Sequence, residues 1–372
     1  MADAQEEACL PAVLAIDGGN SKTDLALVAG DGTLLASVRG PGASQEHYGI
    51  DGAMSRLSEL VGEVAAQAGL ADGGGSGSGR LIARHTSSCL AGADLPEEEE
   101  QLALALNRQG WSLTSAVAND TFAVLRAGLS PAAGERPWGV AVTCGAGINC
   151  VGVAPDGQVT RFLALGTLTG DWGSGAGLSE QVMWWSMRAE DGRGPDTALR
   201  PATAAHFGLP TVTDVAIAVH KRQIDGHELL GLTTVLFDVA LAGDQVARDL
   251  LERQAEEIAL MALTAMRRLG LTGAGTPVVL GGGLLTARNP LLTAAIERRL
   301  STAAPGAVPH VVEVPPVTGA ALLGLDFLGA GQEAERHLRA STALRAVRAS
   351  STLRRLPRTR SMHRTNLWVA NV

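Results

Sequence analysis

Lysine, aromatic residues and cysteine are all scarce in this sequence, and each shortage narrows what the chain can be. Lys22 and Lys221 are the only lysines among 30 basic residues in a chain of 372; arginine takes their place, which reads as genome base composition rather than function. Aromatic residues make up 3% of the chain, and the nine arginines after residue 332 have only Trp368 near them, a poor stacking platform for a nucleic acid. The four cysteines, Cys9, Cys89, Cys144 and Cys150, show no CxxC spacing. Three of them sit beside small apolar residues, so reduced, buried thiols in a cytosolic protein are expected. No segment reaches 18 uninterrupted strongly apolar residues, and the acidic stretch at 3–7 is the opposite of a secretory leader. These shortages lead to the expectation of a soluble, cytoplasmic protein without a membrane partner.

The net charge of -8 is unevenly spread. Residues 333–372 hold nine arginines against two glutamates, +7, which leaves -15 on residues 1–332. An acidic body argues against nucleic acid as the main partner. The tail lacks a strand signal and is expected to be a loosely attached helix or disordered, and dispensable for activity.

What the chain has in abundance is glycine, 46 residues of it, and the pattern centres on DGGNSKTD at 17–24, between apolar runs at 12–16 and 25–29. Each run has strand length, so the segment predicts a hairpin. In its turn Gly18 and Gly19 carry no Cβ to hold a ligand away, and Asn20, Ser21, Lys22 and Thr23 supply donors and charge, a phosphate-binding arrangement. Asp17 would repel phosphate unless a cation lay between them, which points to Mg²⁺ held through water. A glycine hairpin with incidental polar residues and no ligand is the alternative.

A third strand at 33–39 completes an antiparallel meander, followed by a polar loop at 41–49 and a helix from about 50 to 68. A Gly/Ser run at 73–79 reads as flexible and exposed. Strands at 81–84 and 115–118 with a helix at 97–109 between them imply parallel pairing. From about Pro131 the plan repeats, with strands at 138–144, 150–154 and 158–163 and the glycine turn 145–149 after the first. A glycine loop at 166–177 opens a helix to about Met187, largely helical sequence runs from 201 to 269, and a strand at 277–280 leads into Gly281, Gly282 and Gly283. A helix at 289–300, a strand at 308–314 and an apolar helix at 317–328 follow.

With these pieces in order, the chain resembles the actin, hexokinase and Hsp70 superfamily, and within it the BadF/BadG/BcrA/BcrD ATPase family, which includes N-acetylglucosamine kinase. The resemblance spans about residues 12–330 and rests on DGGNSKTD at 17–24, ND at 119–120, GAGIN at 145–149, GDWGSG at 170–175 and LGGG at 280–283. It implies an α/β fold of duplicated ribonuclease H-like domains with the active site in the cleft between them: a first lobe at 11–118, closed by the helix at 317–330, and a second at 119–316, with 331–372 as the tail. It implies ATP and Mg²⁺ as cofactors and a sugar as substrate. Asp17, Gly18, Gly19 and Ser21 then belong to the first phosphate loop, Gly145, Ala146 and Gly147 to the second, and Gly281, Gly282 and Gly283 to the nucleotide side. Asp120 matches the catalytic aspartate, and Asn149, Gly166 and Asp171 match positions around the sugar. Relatives are often homodimers, so a homodimer is the expectation by analogy.

The chain departs from that pattern at Ala146, where such kinases tend to have Thr, at Trp172, where GDEGS has an acid, and at Gln45-Glu46-His47, where the sugar loop often has Asn-His. Glu46 and His47 either face the sugar or belong to a solvated loop. Asp120 orients and deprotonates a sugar hydroxyl or caps the helix from Thr121, two compatible roles. Asp171 likewise contacts sugar or caps a helix, and Trp172 stacks on a sugar or anchors packing. The sequence-based reading is a kinase of an amino sugar, N-acetylglucosamine first and glucosamine second. A family ATPase that activates a radical dehydratase is disfavoured because no cysteine follows Cys150, and a repressor is disfavoured because about ten residues precede the first strand, too few for a helix-turn-helix.

Overall fold

The computed structural model describes residues 10–70, 80–132, 134–273 and 275–353, with side chains to Thr342. The Gly/Ser run at 73–79, Cys9 and the last part of the tail lie outside the described residues. Two five-stranded sheets organise the chain. The first contains β1 (Val13–Gly18), β2 (Lys22–Val28), β3 (Leu34–Pro41), β4 (Ala83–Leu90) and β5 (Ser112–Asn119), with α1 (Gln45–Gln67), α2 (Pro96–Gln109) and α3 (Asp120–Gly128) among them. The second contains β6 (Gly139–Cys144), β7 (Ile148–Val153), β8 (Val159–Arg161), β9 (Thr276–Gly281) and β10 (Ala307–Val311). Between β8 and β9 come α4 (Ser174–Glu190), α5 (Leu199–His206), α6 (Val212–His220), α7 (Leu232–Leu241) and α8 (Gln245–Arg268). A short α9 (Gly283–Thr286) and α10 (Pro290–Ala303) precede β10, and α11 (Pro316–Phe327) and α12 (Gln332–Leu353) follow it.

The strand orders are β3-β2-β1-β4-β5 and β8-β7-β6-β9-β10. Each half therefore has a central strand with an antiparallel hairpin on one side and two parallel strands on the other. The duplication expected from the repeated strand-turn-strand plan is present, strand for strand. Alternate residues of β1 face opposite sides: Leu14 and Ile16 join the core under α1 and α2, while Val13 and Ala15 pack with α11. Helix α11 crosses α3 so closely that a Cβ on Gly319 would sit 1.8 Å from the Ala123 carbonyl oxygen. Only glycine permits that approach.

Three expectations about elements need correction. The strand expected at 81–84 is Ala83–Leu90, and its centre, His85, Thr86, Ser87 and Ser88, is polar but buried. His85 Nδ1 meets Thr114 Oγ1 at 2.9 Å and its ring stacks on Phe327 at 4.2 Å, so partners in other elements satisfy what an apolar pattern would not have revealed. The helix expected from residue 50 gains a leading turn, Gln45 to Tyr48, capped by Ser44 and broken from the rest at Gly49 (φ 66°, ψ 172°). The tail is not loosely attached at its start. Ala334 and Leu338 are buried beside Val28 and Val317, and Glu335 joins the buried Arg126 (2.6 Å) and Arg339 (2.8 Å). A buried arginine needs this pairing, which no local pattern in residues 332–342 announces.

Candidate active site

The two glycine hairpins occupy equivalent places, each at the turn that follows the central strand of its sheet. In the first, β1 and β2 pair Asp17 with Asp24 and Gly18 with Thr23, and the Gly19 amide closes the turn on the Lys22 carbonyl at 2.9 Å. That amide is therefore committed to the turn rather than free for an anion. Ser21 and Lys22 are exposed at the tip, whereas Thr23 is fully buried. Asn20 donates through Nδ2 to Glu46 Oε2 at 3.4 Å, while its Oδ1 and the Thr23 hydroxyl are buried without partners. Buried polar atoms are rarely left unpaired, so these mark an arrangement awaiting a polar ligand or water.

The second hairpin is closed by the Gly145 amide on the Gly147 carbonyl (2.9 Å) and carries another unpartnered buried hydroxyl on Thr143. The start of α4 is docked on it, with the Gly175 amide on the Gly145 carbonyl (2.7 Å) and the Ala176 amide on the Ala146 carbonyl (3.1 Å). Gly282, at φ 85°, backs the same corner: a Cβ there would come within 2.4 Å of the Cys144 carbonyl oxygen. Gly281 is packed against Val124, whereas Gly147 and Gly283 have open space where a side chain would stand. The expected glycine sets at 145–147 and 281–283 thus meet in one place, where a Cβ on Gly145 would stand 3.9 Å from the Gly283 amide nitrogen.

The carboxylates occupy the other side. Asp17 is raised to about 8, first by desolvation and then by Asp120 and Asp24, with Lys22 and Arg39 opposing. Asp24 is itself tied to Arg39 by two hydrogen bonds of 2.6 and 2.8 Å. Asp120 begins α3 at the end of β5 and is raised to about 6, mainly by desolvation and partly by Glu46, against the Thr121 hydrogen bonds. Asn119, not Asp120, caps α3 by accepting from the Thr121 amide at 2.9 Å. The capping alternative for Asp120 therefore passes to its neighbour and leaves the aspartate available.

Asp94, which no motif singled out, is raised to about 7 by desolvation, Asp120 and Glu46. Its Oδ1 accepts from Asn119 Nδ2 (2.8 Å) and from Asn149 Nδ2 (3.2 Å), so it joins the first sheet to the second. Arg161 adds another crossing, forked onto Glu99 at 2.8 and 2.9 Å. His47 faces His227 of the turn Gly226–Gly231 at 6.0 Å between ring centroids. Asp94 was illegible because it sits in a loop before an acidic helix start, and His227 because a distant insertion delivers it.

Asn149 is thus hydrogen-bonded to Asp94, with the like charges of Glu46 and Asp120 close by, while Asp171 is held in its own loop. Its amide donates to the Gly166 carbonyl (3.0 Å) and its Oδ2 accepts from Thr169 Oγ1 (2.7 Å). Trp172 is stacked under the Arg253 guanidinium at 4.1 Å, a packing anchor as the structure stands. Cys89, Cys144 and Cys150 are all buried, with burial raising the Cys144 thiol to about 12 and the other two as well.

Asp17 is an oxygen donor beside the first glycine turn: burial first, and then Asp120 and Asp24, raise its carboxyl, and a magnesium ion held there would offset that clustered negative charge. The chain is 25% identical over 283 residues to the N-acetylmuramic acid/N-acetylglucosamine kinase of Clostridium acetobutylicum, covering 75% of this chain and 87% of that one. It is 24% identical over 318 residues to the N-acetyl-D-glucosamine kinase of Dictyostelium discoideum, covering 84% and 97%. A solved Chromobacterium violaceum structure, described as a candidate N-acetylglucosamine kinase, superposes with a TM-score of 0.67 at 21% identity, over 85% of this chain and 99% of that one. The profile of one family matches residues 14–324, nearly the whole two-sheet body. The chain belongs to the BadF/BadG/BcrA/BcrD ATPase family.

Proposed function

We propose that this protein transfers the γ-phosphoryl group of ATP to a hydroxyl of an amino sugar, with N-acetylglucosamine the first substrate and its 6-phosphate the product. The observation that carries the reading is Asp120: a carboxylate at the end of β5, relieved of capping by Asn119, raised to about 6 and near enough to Asp17 of the first hairpin for their charges to interact. A sugar hydroxyl is a poor nucleophile at neutral pH, and a carboxylate within hydrogen-bond reach orients it and takes its proton as the new bond forms. An aspartate titrating near 6 is ionised at neutral pH and a stronger base than an ordinary one. Asn149 and Asp94 offer an amide and a carboxylate to neighbouring hydroxyls, and Glu46 and His47 line the same side. Gly166 and Asp171, tied to each other within their own loop, would supply a second edge of the acceptor pocket.

On the nucleotide side Gly18, Gly19, Asn20, Ser21 and Lys22 face the phosphates from the first hairpin and Gly145, Ala146 and Gly147 from the second, with Gly281, Gly282 and Gly283 against the nucleoside. Asp17 would hold Mg²⁺ through water, and the ion would neutralise charge on the triphosphate. Both relatives have N-acetylglucosamine in their names, which supports the choice of sugar.

The test is ATP consumption over hexoses, hexosamines, N-acetylhexosamines and N-acetylmuramic acid, with ATP alone as control. One amino sugar should stand orders of magnitude above the rest, since a site built to pair particular hydroxyls rejects analogues lacking them. Sugar-independent hydrolysis without a phosphorylated product would overturn the kinase reading and leave an ATPase of the same family.

A further inference from the structure

The loop 170–175 has an unusual backbone. Gly173 (φ 86°) and Ser174 (φ 72°) both lie in the left-handed region, and for a serine that conformation persists only if its surroundings hold it there. What holds it comes from α8, eighty residues on. Gln254 is fully buried, and its Oε1 accepts from the Ser174 amide at 2.8 Å. The amide group lies so close that a Cβ on Gly173 would sit 2.0 Å from that oxygen. One residue earlier on α8, Arg253 covers Trp172. One turn later, Glu257 lies near enough to Asp171 for their charges to interact, though desolvation is the main reason its carboxyl is raised. Beyond Ser174, the Gly175 and Ala176 amides grip the second hairpin.

We propose that Gln254 is a positioning residue that fixes, through the Ser174 backbone, both the acceptor-side Asp171 and the nucleotide-side hairpin 145–147. This rests on the kinase reading above for what the two sides do. The arrangement makes one buried acceptor the common reference for both substrates. If Ser174 relaxes from its left-handed conformation, the chain on both sides of it, Asp171 before and the Gly175 amide after, loses this fixed point. Phosphoryl transfer depends on alignment, and displacements of about 1 Å are costly on the order of 10²-fold. The Gln254 Nε2 has no partner, so only the acceptor half of this side chain has a visible role. Replacing Nε2 with a hydroxyl oxygen therefore removes no hydrogen bond, and desolvation holds a carboxyl buried this deeply in its neutral form.

That asymmetry gives a discriminating pair of variants. Gln254→Met keeps volume and loses the acceptor; Gln254→Glu keeps an oxygen for the Ser174 amide. Both are first checked for folding by circular dichroism. Steady-state kinetics with the best sugar should show Gln254→Met losing about 10-fold to 10²-fold in kcat/KM, with kcat reduced and KM raised for both ATP and sugar. Gln254→Glu should recover to within about threefold of wild type. Hydrogen exchange of the 170–178 peptide should be faster in Gln254→Met. A folded Gln254→Met with wild-type kinetics, or equal damage in both variants, would overturn the proposal in favour of plain packing. Should wild type phosphorylate no sugar, the kinase reading falls by itself; the loop inference is then decided by the exchange measurement, and unchanged rates in Gln254→Met defeat it.

Discussion

The first and second halves share a strand order yet divide the work of the cleft unequally. The first hairpin is charged, with Asp17 at its base and Lys22 at its tip, and it lies beside Asp120, which in turn neighbours Asp94. The second has no ionisable side chain between Cys144 and Asn149 and is braced by backbone contacts from α4 and Gly282. The halves also differ in how they are closed. The second sheet is covered on one face by helices between α4 and α10 and on the other by α3, whereas the first borrows α11 and α12 from the C-terminal end of the chain. Duplication preserved the scaffold, and the asymmetry lies in side chains and in which helices cover each sheet.

The largest effect should come from removing the borrowed cover. Deleting residues 333–372 strips Ala334 and Leu338 from the first core and leaves Arg126 with Asp326 as its one carboxylate partner beside the Leu129 carbonyl, a loss on the order of 5 kcal/mol. An insoluble product, or one whose first half is digested by protease while the second survives, is expected. A soluble, active truncation would show that the first half closes without α12.

Next in size, Asp120→Asn should lower kcat by roughly 10²-fold with ATP and sugar KM within a few-fold, the usual scale for losing a general base. Near-wild-type turnover would return the role of base to another carboxylate, Asp171 first.

The carboxylate cluster of the first half predicts two pH effects. Asp120 acts when ionised, so kcat/KM should fall as pH drops through about 6. Glu46→Gln removes a like charge that helps raise it, and the acid limb should move to lower pH. For stability the sign is opposite. Asp94 in the folded protein is raised from 3.8 to about 7, chiefly by desolvation, so its favourable contribution is complete below about pH 4 and is lost as pH climbs through 7. Asp94→Asn should therefore raise Tm at pH 8 by roughly 1–3 °C, with a smaller gain at pH 5. An unchanged Tm difference across that range would contradict the proposed burial of charge.

The smallest effect sharpens the contrast between hairpins. Ala146→Thr adds a hydroxyl to the side-chain-poor turn and should lower the KM for ATP by about 2–5-fold, one modest hydrogen bond. No change would mean that the second hairpin contributes through its backbone alone.

By itself, the sequence determined the duplicated scaffold and the glycine turns, because alternation, turn residues and motif order are local patterns that survive without partners. Apolar strands such as Val13–Gly18 and Gly139–Cys144 announce themselves, and so do Asp17 and Asp120 at the ends of predicted strands. Tertiary structure alone decided what depends on distant partners. In the polar strand Ala83–Leu90 the buried His85 and Thr86 find their partners, Thr114 and Ser112, on β5. Helix α12 docks only because Arg126 lies waiting two hundred residues earlier. Asp94 and Gln254 acquire roles from Asn149 and Ser174, each across a long loop closure. A buried polar group is stable only with its partner in place, and that pairing is written in three dimensions rather than in the spacing of residues along the chain.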